Sequence, residues 1–272
     1  VGFLKAIGVF DSGVGGLTVL KALHRAMPHR DFLYLGDTAR VPYGRKPPEM
    51  VREFAREITR FLEAQGAEGV VVACNTATAV ALPDLQREFT LPVWGVIEPG
   101  VEAALSATRS GFVGVIGTRG TIRSGAYQKR LEAKGLRVWA QACPLFVHLV
   151  EEDLADSPEA ELLARHYLED MPDIDSLILG CTHYPVLAPV LAKVLGPGVR
   201  LVESAVVAAE SVRAALGDGD SPGVGSITHF VTGDPIAYEH TAAVIGGVEG
   251  RIIAMPVSEL SYDVSCIGYS AS

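Results

Sequence analysis

The sequence predicts an α/β fold made of two similar parallel-sheet units with a ligand cleft between them. Three observations lead there. Apolar strand segments alternate with amphipathic helical ones, the pattern repeats along the chain, and both halves place a cysteine at a matching strand end.

The strand candidates are continuous apolar runs: AIGVF, FLYLG, GVVVA, VWGVI, GFVGVIG, LILG and RLVES. Between many of them lie helical stretches, such as Pro48 to Gln65 with Phe54, Ile58, Phe61 and Leu62 on one face. Fully apolar strands alternating with helices indicate a parallel sheet covered on both sides. The repeat supports two such sheets. IGVFDSG matches VGVIGTRG with Gly8 on Gly114, a shift of 106 residues, and Cys74 matches Cys181 at a shift of 107. Ligands of open α/β sheets sit beyond the C-terminal strand ends, so two units facing each other there bring both cysteines to one cleft. The expected boundaries are 1–97 plus 208–272 for the first domain and 98–207 for the second. After Ala205 a helical VVAAESVRAAL, a Gly/Asp/Pro-rich link, the strand-like ITHFVTG and a last helix–strand pair complete the first unit.

Composition removes several classes of function. The chain has 272 residues, about half of them apolar, enough for a sizeable core, and a formal charge of -9. That charge opposes non-specific binding to nucleic acid or anionic membranes. The uncharged stretch from Gly69 to Pro83 is too short and too polar to span a bilayer. The opening VGFLKAIGVFD reads as a core strand rather than a signal peptide. Four cysteines at 74, 143, 181 and 266 without a CxxC spacing fit free thiols in a reducing cytoplasm. A single Cys-x-His at 181 and 183 does not make a zinc site, so no metal is expected.

The polar residues gather where strands end. FDSGVGGLTVL places Asp11, Ser12 and three glycines before a helix, a loop suited to an anion. It is not a dinucleotide fingerprint, because Thr18 stands where the last glycine is required. GDTARVPYGRKP offers Tyr43 and Gly44 in a stiffened turn whose backbone N–H groups suit a carboxylate. Cys74 precedes Asn75 and Thr76, and Cys181 precedes Thr182 and His183. Each sits where a strand gives way to a helix, a setting expected to lower a thiol pKa. His183 can also partner Cys181. LFVHLVEEDLAD contributes Glu151 and Glu152, while Cys143, Cys266 and His148 read as structural or incidental.

In order along the whole chain, FDSGVGGLTV, YLGDTARVPYG, VVACNTATA, PVWGVIEP, VGVIGT, LFVHLVEE and LILGCTHYP resemble the cofactor-independent aspartate/glutamate racemase superfamily, and glutamate racemases within it. The resemblance implies two α/β domains related by a pseudo-twofold with the active site between them. It implies paired acid/base cysteines at Cys74 and Cys181, with auxiliary groups Asp11 near the first and His183 with Glu151 near the second. It also implies substrate binding by Asp11, Ser12, Tyr43, Gly44, Asn75, Thr76, Thr182 and His183, and a homodimer. No cofactor is implied, and the expected role is to supply D-glutamate for peptidoglycan. Cys74 would meet the D-enantiomer and Cys181 the L-enantiomer. Asp153 stands where the family commonly has Gly, which leaves the choice between Glu151 and Glu152 open. With no long N-terminal extension, precursor-dependent activation is not expected.

Two thiols suit racemisation because two bases flanking Cα need not swing around it. A reach of roughly 3–3.5 Å on each side puts the sulfurs about 7 Å apart, well beyond the ~2 Å of a disulfide. An aspartate or hydantoin racemase is the nearest alternative enzyme. A dicarboxylate-binding or regulatory protein is the alternative of another class, disfavoured because binding needs no paired bases.

Overall fold

β1 (Ala6–Asp11) is buried along its whole length, and its two faces meet different layers. Ile7 and Val9 join one core with Leu17, Leu20 and Leu23 of α1 (Leu17–Ala26), while Phe10 turns to a second with Ile58 and Leu62 of α2 (Pro48–Ala64). Alternation of successive side chains across the sheet makes a two-sided core of an unbroken apolar strand. The computed structural model describes residues 5–219 and 223–260, so Cys266 and part of the expected link lie outside the described residues.

Two sheets follow the repeat. The first also holds β2 (Phe32–Gly36), β3 (Ala67–Val72) and β4 (Val93–Gly95), with α3 (Asn75–Glu88) between the last two. After α4 (Ile97–Ala107) the second sheet is built from β5 (Phe112–Gly117), β6 (Arg137–Ala142), β7 (Ser176–Gly180) and β8 (Arg200–Val202). Its helices are α5 (Arg119–Ser124), α6 (Ala126–Ala133), α7 (Leu145–Glu151), α8 (Pro158–Tyr167) and α9 (Ala188–Leu195). The chain then runs through α10 (Ala205–Leu216), β9 (Ile227–Val231), α11 (Pro235–Ile245) and β10 (Arg251–Ala254).

Every paired strand is parallel. The orders are β10-β9-β2-β1-β3-β4 and β6-β5-β7-β8. The four strands β2-β1-β3-β4 thus have the order of the whole second sheet, and β3 corresponds to β7. This is the architecture expected from the repeat, two parallel-sheet α/β units with their cysteines after equivalent strands. The late strands β9 and β10 extend the first sheet beyond β2. β6 is absent from the strands read in the sequence. It lies at a sheet edge, half exposed, and Arg137 and Gln141 interrupt its apolar character.

His229 of β9 is the buried base of this extension. Its Nδ1 is hydrogen-bonded to the Tyr238 hydroxyl at 2.8 Å, and burial pushes its pKa down to about 4 against a carbonyl contact from Val248. An unfolded His titrates near ~6.5, so the folded protein binds fewer protons between the two values. The contribution is complete above ~6.5 and is lost as pH falls toward 4, up to about 3 kcal/mol in all. His229→Gln should therefore lose its stability deficit against wild type as urea unfolding is moved from pH 7 to pH 4. A deficit constant across that range would remove this assignment.

Candidate active site

One small cavity gathers both sequence halves. Ser12, Tyr43, Gly44, Cys74, Asn75, Thr76, Cys181, Thr182 and His183 line it, with Val41, Pro42, Thr118 and Val147. Its volume is about 30 Å³, room for little more than one water. A larger cavity of about 590 Å³ lies between α1 and α10 and is lined by Thr18, Lys21, Arg25, Glu203 and Glu210 among others. Neither a thiol nor an imidazole lines it, so size points to one place and acid/base chemistry to the other. Chemistry decides for the smaller.

Cys74 follows β3 and is the N-cap of α3. Its Sγ accepts the Ala77 N–H at 3.4 Å and lies 3.8 Å from the Ser12 hydroxyl. The expected fall in its pKa does not occur. Burial, with the Asp11 charge adding to it, outweighs the helix N–H and Ser12, and the thiol is pushed up to about 12. Cys74 is therefore a thiol at neutral pH.

Cys181 has different company. The chain after β7 forms a 3₁₀ turn over Tyr184–Leu187 before α9 begins, so no α-helix starts at this cysteine. In place of a helix end, His183 Nδ1 stands 3.9 Å from Cys181 Sγ, and His183 Nε2 lies 3.0 Å from Glu151 Oε1. Burial alone would depress the imidazole, but the contacts with Cys181 and Glu151 override it and raise the pKa to about 10. The positive imidazolium thus stands directly against the Cys181 sulfur. Glu151, at the end of α7, makes this contact, and Glu152 is exposed. Asp153 adopts φ 56°, the left-handed region that favours glycine.

Asp11 ends β1, is fully buried and accepts the Gly13 N–H at 3.1 Å and the Thr182 hydroxyl at 3.4 Å. Burial raises its pKa against the opposing pull of His183 and these donors. Thr182 is further held by Thr18, whose hydroxyl donates to its carbonyl at 3.2 Å. Tyr43 and Gly44 come from a one-turn 3₁₀ helix, Tyr43–Arg45. Fully buried Asp37 fixes that loop by accepting from Arg40 Nε at 2.7 Å, Thr232 Oγ1 at 2.9 Å and the Tyr43 hydroxyl. Arg40 in turn pairs with Glu57 and stacks 3.9 Å over the Phe54 ring. The role of Asp37 is invisible in sequence, because a buried loop aspartate has no spacing signature.

Two residues of the site escaped the motif reading. Thr118 and Thr121 join Thr76 in a triangle of hydroxyls with separations of 2.9, 3.2 and 3.1 Å. The signal was present for one of them: the shift of 106 residues carries Ser12 onto Thr118. Cys143 is buried outside this cavity, its thiol pushed up by burial, while its carbonyl accepts the Tyr184 hydroxyl at 2.7 Å. His148 is exposed. Among the described residues no group of three or more His, Cys, Asp or Glu is arranged to hold a metal, and no helix is long and apolar enough to cross a membrane.

Residues 7–212 match the family model described as Asp/Glu/Hydantoin racemase. A glutamate racemase of Thermus thermophilus is 55% identical over 244 residues, covering 88% of this chain and 92% of that protein. One of Aquifex aeolicus is 46% identical, with 89% and 94% covered. Among solved structures, T. thermophilus glutamate racemase in complex with β-chloro-D-alanine gives a TM-score of 0.86 at 53% identity, covering 94% of this chain and 98% of that one. The Francisella tularensis enzyme in complex with D-glutamate gives 0.85 at 34%, covering 95% and 99%.

Proposed function

From the premise that the chain belongs to the glutamate racemase family and is an amino-acid isomerase, we propose that it interconverts L- and D-glutamate without a cofactor, using Cys74 and Cys181 on opposite faces of Cα. One observation carries the reading: two buried thiols line a single cavity, and each has its own polar partner.

The partners set the direction of the first proton transfer. Cys181, with the His183 imidazolium beside it, serves as the base toward L-glutamate, while Cys74, a thiol that burial keeps protonated, serves as the acid. L-glutamate, presenting its α-proton to Cys181, loses it to that sulfur, and Cys74 delivers a proton from the other face. Glu151 holds the imidazolium in place through Nε2. In reverse, Cys74 must first lose its proton, and Asp11, electrostatically coupled to it and lifted in pKa by burial, is the group to take it. The α-proton is a far weaker acid than a thiol, so donors around the α-carboxylate must carry much of the catalysis. Ser12, Tyr43, Gly44, Asn75, Thr76 and Thr182 are the groups proposed to hold the substrate's two carboxylates. Enclosure strengthens each of these contacts by excluding water.

The proposal includes the domain boundaries 1–97 with 208–272 and 98–207, a homodimer, and a role in supplying D-glutamate for peptidoglycan. Deuterium tests its chemical core. Starting from L-glutamate in D₂O, early D-glutamate should carry deuterium at Cα while remaining L-glutamate stays protiated. Mass and chirality measured together at low conversion decide it. Mostly protiated D-glutamate would mean one base returning the substrate's own hydrogen, and the two-thiol reading would be lost.

A further inference from the structure

Tyr127, in the first turn of α6, donates its hydroxyl to Asn75 Oδ1 at 2.7 Å. The bond crosses from the second α/β unit to the residue that opens α3 beside Cys74 in the first. Both side chains are buried. The phenol is not among the hydrogen-bond partners of Cys74 or Cys181. Its ring occupies a slot kept open by two glycines: a methyl on Gly100 would lie 2.9 Å from the hydroxyl, and one on Gly180 would lie 3.2 Å from Cε2.

A carboxamide has one acceptor end and one donor end, and a half-turn exchanges them. In the observed orientation the phenol hydrogen has an acceptor. Turned around, Asn75 would present its NH₂ to the phenol and leave that buried hydrogen without one, an expensive arrangement. The hydroxyl therefore commits Oδ1 to the interior. The NH₂ is left for the cavity that Asn75 lines. A carboxylate accepts hydrogen bonds and donates none, so this is the orientation that serves an anionic ligand.

We propose that Tyr127 is a positioning residue, whose hydroxyl locks the Asn75 carboxamide with its NH₂ toward the carboxylate of the bound amino acid. The inference rests on the glutamate reading given above. It adds a cross-unit contact that makes the donor face of Asn75 depend on correct docking of the second unit against the first.

Tyr127→Phe keeps the ring and removes the hydrogen bond, and should raise KM for both enantiomers about tenfold while kcat changes by less than threefold. Gly100→Ala, which displaces the hydroxyl with a methyl and leaves Tyr127 and Asn75 in place, should raise KM in the same direction. In an Asn75→Ala background, Tyr127→Phe should change KM by less than twofold, because the group it orients is gone. A merely structural role would carry the same factor into both backgrounds, and that result overturns the proposal. So does a KM within twofold of wild type for Tyr127→Phe. Should that variant fail to fold, ¹⁵N spectra of the wild-type protein give the answer without it. Saturation with D-glutamate should shift the Asn75 side-chain NH₂ signals, and unmoved signals overturn the proposal. Wild-type protein that binds D-glutamate but does not racemise it would remove the racemase reading while leaving this orientation to be judged by the same spectra.

Discussion

Cys74→Ala and Cys181→Ala should each lower racemisation at least about 100-fold, the low end of what a positioned acid or base contributes. Either change alone suffices because the two thiols act in series: one removes the α-proton, the other replaces it. Both sulfurs are buried, yet each is small, so the variants should fold and unfold within a few degrees of wild type. The two losses need not be equal. Cys181 has His183 as a neighbouring cation, whereas Cys74 is hydrogen-bonded to Ser12 and a backbone N–H and faces the Asp11 charge. A variant keeping more than a hundredth of wild-type turnover, measured by chiral separation of the products, would remove the two-base mechanism.

Gly15→Ala should be nearly as damaging without touching either cysteine. A methyl at Gly15 would lie 2.3 Å from Thr182 Oγ1 and 2.4 Å from His183 Nδ1, distances that real methyl groups do not reach. Neither side chain can withdraw. His183 is 3% exposed and tied to Glu151, and Thr182 is tied to Asp11. The methyl must therefore displace the imidazole from the thiol it serves or push the two units apart. A misplacement of roughly 1 Å can cost about 100-fold in rate, and that is the expected loss. Gly15 is not in the positive-φ region, so alanine adds no backbone strain there and global stability should fall much less than turnover. Turnover within threefold of wild type would show that the contact between α1's approach loop and the Cys181 segment is loose.

The sequence was most legible where one residue type had to recur. Cys74 and Cys181 stood out because two strand ends carried the same unusual residue at nearly the same shift, and the two sheets share the strand order that this shift implies. β6 was lost because an edge strand need be buried on only part of its surface, and Arg137 and Gln141 erase its apolar run. Thr118 and Thr121 were lost because threonine is common and its meaning comes only from Thr76 across the cleft. The protonation of Cys74 was misjudged from position alone. A helix N-terminus offers Cys74 one N–H, but burial removes the solvation of its charge and dominates. At Cys181 the helix expected from the pattern gives way to a 3₁₀ turn, and an imidazole two residues on supplies the positive charge instead. Asp37, Arg40 and Glu57 show the general difficulty: residues that hold a loop in place are recognised by their partners, which sequence order scatters.

The narrowness of the cavity separates occupancy from turnover. At about 30 Å³ it is tight for an amino acid, and hydroxyl contacts bridge the units around it, Thr76 to Thr118 and Thr182 to Asp11, so that entry calls for the units to part. Measured affinity then contains the fraction of molecules open at any moment. A compound of the right length lets the bridges close again around it and is sealed between two dehydrated thiols. A longer one keeps the halves ajar, with water at both sulfurs and His183 screened. Such a compound is held without being racemised, which makes closure a selectivity filter distinct from the grip on the carboxylates.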